Sequence, residues 1–170
     1  MNSGRLTLVT VFLGAVVVVL SQFVTGYSLE DPFGATIATV TLAGKHGLAT
    51  TLFAVIASLA AVYAVGSGTR TASIVVVGMG VAVLLVFLLI DLPDLDSIGL
   101  YDTPGAGNLD ATGSASAGLW MELTGGIILV LGGLALATLT PAQLKALRPG
   151  ATAEPQDSPA EPENSPPGDQ

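Results

Sequence analysis

Apolar residues in this chain run in unbroken blocks, with neither the strict alternation of a strand nor the one-sided stripe of a surface helix. Four blocks contain no lysine or arginine: residues 6–24, 47–65, 73–90 and 119–139. A helix that crosses a bilayer needs about 20 mainly apolar residues, and each block meets that length. The pattern predicts an all-α membrane protein, a bundle of four transmembrane helices forming one domain over residues 1–148. Arg5 ahead of the first block imitates the start of a signal peptide. The apolar run is long for such a peptide, however, and SQFVTGYS after it offers no small-residue cleavage site, so a retained helix is expected.

Between the blocks the pattern changes twice. Residues 25–46 contain the turn signal Glu30-Asp31-Pro32-Phe33-Gly34, followed by the β-branched run Ala35-Thr36-Ile37-Ala38-Thr39-Val40-Thr41-Leu42. With Gly26-Tyr27-Ser28-Leu29 before the turn, this predicts a small β-hairpin lying at the membrane surface. Residues 91–118 are acidic at first and then mostly Gly, Ala, Ser and Thr, which predicts a flexible loop without a fixed fold. After the last block, Thr140-Pro141-Ala142-Gln143-Leu144 predicts a break and a short helical turn with Pro141 at its first position. Residues 149–170 hold Pro, Glu, Asp, Ser and Ala but no aromatic or β-branched aliphatic residue. Such a stretch buries too little apolar surface to offset its ordering entropy, so a disordered acidic tail is expected.

Charge orients the bundle. If the helices alternate, Arg5, Arg70, Lys145 and Arg148 fall on one side and Lys45 alone on the other. Short cytoplasmic loops carry the excess of Lys and Arg, so both termini are expected in the cytoplasm of a bacterial plasma membrane. The hairpin and the acidic loop are then outer loops. Of the 170 residues 51% are hydrophobic and only 11% charged, far below the roughly 25% charged of a soluble domain. The absence of cysteine excludes disulfides, thiolate nucleophiles and cysteine-ligated metals, and leaves an outer adhesion domain of the claudin kind without its staple. A single histidine excludes multi-histidine metal centres. The net charge of −8 argues against nucleic acid as a partner.

Small residues mark the helix-packing faces, because association in lipid depends on close backbone approach. The second block carries Ala54, Ala57, Ala61 and Ala64 on one helical face; the fourth repeats glycine at Gly118, Gly125 and Gly132, with Gly126 and Gly133 alongside. The third offers Gly78 and Ala82. These stripes suit packing within one protomer or a homo-oligomer interface.

Few residues carry chemistry. Glu122 is a candidate intramembrane ionisable group. Near the start of the fourth helix it suits an interfacial acid beside Trp120 as well as a buried proton or cation site. His46 next to Lys45 is expected at the interface, within reach of Glu30, Asp31 or Glu122. Asp91, Asp94 and Asp96 bring three carboxylates into one loop, as hard cations favour, without the spacing of a calcium-binding loop. Nucleophile-elbow, phosphate-loop, zinc-protease and dinucleotide fingerprints do not occur, and no cofactor or metal is expected.

Two stretches carry a resemblance: Thr39-Val40-Thr41-Leu42-Ala43-Gly44 leading into the alanine-rich helix, and Gly118-Leu119-Trp120 leading into the glycine-paired one. Over residues 6–140 the chain resembles small four-helix membrane proteins of actinobacteria, among them the tryptophan-associated transmembrane proteins. It departs from that group in lacking a tryptophan in its first outer loop. The resemblance implies a four-helix membrane fold and carries no residue roles. The expected function is a non-enzymatic structural or accessory component of the plasma membrane, with the lipid bilayer and a membrane-protein partner or a second copy as contacts. The alternative is an oligomeric channel or transporter component using Glu122 and the acidic outer loop.

Overall fold

The computed structural model describes residues 3–95, 98–103 and 107–148; the expected disordered tail and Asp96 lie outside them. The chain is mostly helical, and four of its helices are long and apolar enough to cross a membrane. Helix α1 spans Ser3–Ser21, α3 Ala49–Ser67, α4 Arg70–Val86 and α5 Ala117–Thr138. Helix α4 continues through a π-helical turn, Phe87–Asp91, and a 3-10 turn, Leu92–Asp94. The short helix α2, Leu42–His46, precedes α3. Gly47 separates the two with φ of 67°, a left-handed conformation that costs glycine little. Helix α6, Pro141–Ala146, closes the chain. Thr140 and Gln143 form its capping box, and Pro141 occupies its first turn.

The predicted hairpin is present as β1 (Thr25–Glu30) and β2 (Thr36–Thr41), paired antiparallel with Leu29 opposite Ala38. The second loop departs from expectation. It forms another hairpin, β3 (Ile98–Thr103) and β4 (Gly107–Ala115), and β4 pairs with β1 to give one four-stranded sheet of order β2-β1-β4-β3. Composition misleads here because strand preference depends on the surface a strand meets. Strand β4 is central, with backbone partners on both sides. Its small residues Ala111 and Gly113 are buried between the exposed Asp110 and Thr112. The alternation is real, but its inner residues are too small to announce it.

Because both loops join one sheet, they stand at the same end of the bundle. Helices α1, α5, α4 and α3 therefore form a ring in which neighbours run antiparallel, with α3 and α5 barely touching across the centre. Helix α5 sits closest to its neighbours. A Cβ on Gly132 would meet Val11, one on Gly125 would lie 2.9 Å from the Val18 backbone nitrogen, and one on Gly118 would lie 2.8 Å from the Val24 carbonyl. On its other side Gly126 faces Val83 and Leu84, and Gly133 faces Val76 and Val77. In α4 the close approach is made by Gly80, where a Cβ would lie 2.8 Å from the Val130 nitrogen, rather than by Gly78, which has open space around it. Gly80 is the one on the face turned to α5. Ala54, Ala57, Ala61 and Ala64 are all buried along α3.

The helices are thus small inside and large outside. Leu13, Val16, Leu59, Leu89 and Leu131 are each about half exposed or more. Inside lies a core of Val11, Val18, Val76, Val83, Leu129 and Leu136.

The two ends of the bundle differ in charge. At the end away from the sheet, Arg148 donates to the Gly66 carbonyl and Arg70 Nε to the Leu139 carbonyl. Lys145 lies over Gly68, and Leu147 packs on Gly4. The two arginines therefore cap carbonyls at helix C-termini, where the dipole favours them. Lys45 is at the sheet end.

Replacing Gly125 by leucine should lower stability in detergent by about 1–3 kcal/mol, since the side chain has to displace the α1 backbone. Gly78→Leu, at an open position, should leave the melting temperature nearly unchanged; equal losses in the two variants would contradict this packing.

Candidate functional site

Strand β1 and helix α2 bring Tyr27 and Lys45 to the point where α4 widens into its π-helical turn. There Leu92 N–H reaches back to the Phe87 carbonyl, and Pro93, lacking an N–H, cannot continue the ladder. The carbonyls of Ile90 and Asp91 accept from side-chain donors there. Lys45 Nζ donates to the Ile90 carbonyl at 3.2 Å, to Asp91 Oδ1 at 3.1 Å and to Tyr27 Oη at 3.1 Å. That uses all three ammonium protons. The Tyr27 hydroxyl donates to the Asp91 carbonyl at 2.8 Å and lies 2.9 Å from Asp91 Oδ1. The ammonium also stands 4.4 Å from the centre of the Tyr27 ring, a cation–π contact.

The Asp91 side chain is fully buried and that of Lys45 is 19% exposed. A carboxylate at a helix C-terminus opposes the dipole, and the Lys45 ammonium offsets this. Tyr27 packs with Leu42, Phe87 and Leu119 in an apolar cluster under the sheet. The network thus joins β1, α2 and α4 at one point. Its geometry is that of a latch, with its donors turned inward and spent on the fold.

Of the three carboxylates expected in one cation-binding loop, Asp96 lies outside the described residues. Asp91 is drawn into the bundle by Lys45 and Tyr27, while Asp94 lies in the 3-10 turn that follows. Among the described residues no group of three His, Cys, Asp or Glu could hold a metal ion. Glu122, for which interfacial and buried readings both stood, is fully buried on α5. It lies on the face that carries Gly118 and Gly125. His46 closes α2.

Sequence reasoning missed the latch: Lys45 counted only as a charge in a loop and Tyr27 only as a strand residue. One signal was available, since Lys45 is the sole lysine or arginine between Arg5 and Arg70 and stands just ahead of one apolar block, while Asp91 directly follows another. Two further buried polar residues carried no signal at all, Gln22 after the end of α1 and Thr50 in the first turn of α3.

Comparison with protein-family models, with curated proteins and with solved structures finds no match.

Removing one member of the latch leaves the other charge buried, at a cost of roughly 3–5 kcal/mol. Lys45→Met should therefore lower the melting temperature sharply, and adding Asp91→Leu should restore most of it. A double variant no more stable than Lys45→Met would show that the pair does not act as a unit.

Proposed function

We propose that this chain is a multi-pass protein of a bacterial plasma membrane, acting as a non-enzymatic structural or accessory component that presents its four-stranded sheet outside the cell. The observation that carries the reading is the inverted packing: alanine and glycine fill the helix contacts while leucine, isoleucine and valine line the outside. In water that arrangement would expose far more contiguous apolar surface than a soluble monomer tolerates. In a bilayer it is the favourable one, because lipid contacts satisfy the large side chains and small residues let the helices close.

The basic end supports the orientation. Arg70, Lys145 and Arg148 gather opposite the sheet, and cytoplasmic segments are the ones enriched in such residues. The chain then crosses four times with both termini inside. The latch supports an accessory role over a catalytic one, because its charged groups are engaged with each other and with backbone. Two faces remain for a partner: the sheet, with Phe33 at its β1–β2 tip 94% exposed, and the apolar sides of the bundle. The burial of Glu122 favours a second reading, a subunit of an oligomeric conduit that uses this carboxylate.

The cysteine-free chain makes the orientation simple to test. A single cysteine at Phe33 should react with a membrane-impermeant maleimide on intact cells, and one at Ala142 should react only after permeabilisation; the reverse pattern would refute the proposed topology. Function is tested by the mass of the purified protein in mild detergent, corrected for bound detergent, with mass spectrometry of co-eluting material. The accessory reading expects a stable second protein, and a lone monomer contradicts it. A homo-oligomer whose ion flux in liposomes is lost on Glu122→Gln would establish the conduit instead.

A further inference from the structure

We propose that the sheet end of the bundle contains a buried binding site for one monovalent cation of the alkali class, built from Glu122, Gln22 and Thr50. The inference goes beyond the accessory reading and does not depend on it.

The register of the helices places these residues at one level. Along the contact of α1 with α5, Gly132 lies against Val11 and, two turns on, Gly125 lies against Val18. Continuing the antiparallel register by about one turn brings Glu122 level with Ser21 and Gln22, just before Gly118 meets the carbonyls of Ser21, Val24 and Thr25. Between α1 and α3, one groove is lined by Val19 and Leu20 together with Ala54 and Val55. One turn further toward the sheet on each helix stand Gln22 and Thr50. From α4 the same level receives Phe87, which packs with Leu119 and Leu123 on either side of Glu122.

This layer is fully buried, with Ser21, Gln22, Thr50 and Glu122 all at 0% exposure. Two of its oxygens lack a hydrogen-bond partner, Gln22 Oε1 and Thr50 Oγ1. The Gln22 amide nitrogen donates to Ser21 Oγ, which itself donates to the Val18 carbonyl. That fixes the amide with its oxygen as the open acceptor. A buried polar oxygen left unmatched costs about 1–3 kcal/mol, and such atoms in native proteins are ordinarily met by a ligand or an ordered water.

The donor set selects the ligand. Amide, hydroxyl and carboxylate oxygens are hard, and they suit Na⁺ or K⁺ better than a soft metal. The layer offers one carboxylate, so a monovalent ion leaves it neutral, whereas a divalent ion would leave net charge in a low-dielectric interior. Calcium sites also take 6–8 oxygens, commonly from several carboxylates. Above the layer, Leu42 and Leu119 are completely buried and Tyr27 nearly so, which closes it toward the sheet.

The test is thermal unfolding of the purified protein in detergent at constant ionic strength, with choline chloride replaced stepwise by NaCl, KCl or LiCl. The expected result is a saturable rise in melting temperature with one of these ions, not reproduced by CaCl₂. Thr50→Val and Gln22→Leu should each weaken the apparent affinity by about tenfold or more, the loss of roughly 1.4 kcal/mol of binding, while folding normally in choline. Both remove an unmatched oxygen, so neither needs the ion in order to fold. No difference between choline and any alkali ion would overturn the proposal and leave the layer to ordered water. So would stabilisation that persists unchanged in both variants, or stabilisation by calcium alone.

Discussion

The close approach of α5 to α1 and α4 is the constraint on which the rest of the structure depends. A Cβ at Gly118, Gly125, Gly132 or Gly133 would crowd backbone atoms of the neighbouring chain segments, and one at Gly126 would crowd the Val83 and Leu84 side chains. In the bilayer proposed for this chain, apolar side chains gain little by leaving lipid for each other, so dispersion contacts at short range must supply the association. Glycine permits that range. Along α5 its conformational cost in a helix, about 1 kcal/mol relative to alanine, is borne where the approach needs it. The alanine face of α3 repeats the solution less tightly and completes the ring.

Closing the ring has a consequence for the ends. Antiparallel neighbours bring both long connections to one end, and there they share a sheet. Strand β4 is ordered by β1 on one side and β3 on the other, not by its own residues. The latch and the apolar cluster of Tyr27, Leu42, Phe87 and Leu119 hold the sheet on the bundle. Lys45, Asp91 and Tyr27 tie the strand layer and α2 to the C-terminal end of α4, where the widened turn presents two carbonyls. No disulfide performs this task. A buried ion pair with every ammonium proton directed performs it instead, exchanging desolvation cost for a fixed geometry.

The same closure explains why polar residues survive inside. Gln22 lies just beyond the end of α1, Thr50 in the first turn of α3 and Glu122 near the start of α5. On isolated helices each would reach the headgroup level. Tyr27 of the sheet, Leu42 of α2 and Leu119 of α5 cover that level, so positions that look interfacial along the chain become interior. Burial then turns ordinary end-of-helix polarity into a confined oxygen layer.

The sequence by itself determined the number of long helices, the first hairpin and its turn, the small-residue faces and the segregation of charge. Each follows from a local property: an apolar run of sufficient length, a turn residue at a turn, a spacing of three or four. The second hairpin, the latch and the burial of Glu122 were decided by tertiary structure alone. They depend on what lies across from a residue, and Tyr27, Lys45 and Asp91 are separated by long stretches of chain. No periodicity encodes that Asp91 turns inward to Lys45, or that Gly80 rather than Gly78 meets α5. Those outcomes follow from which helix faces which, and that is fixed only when the glycine seams close.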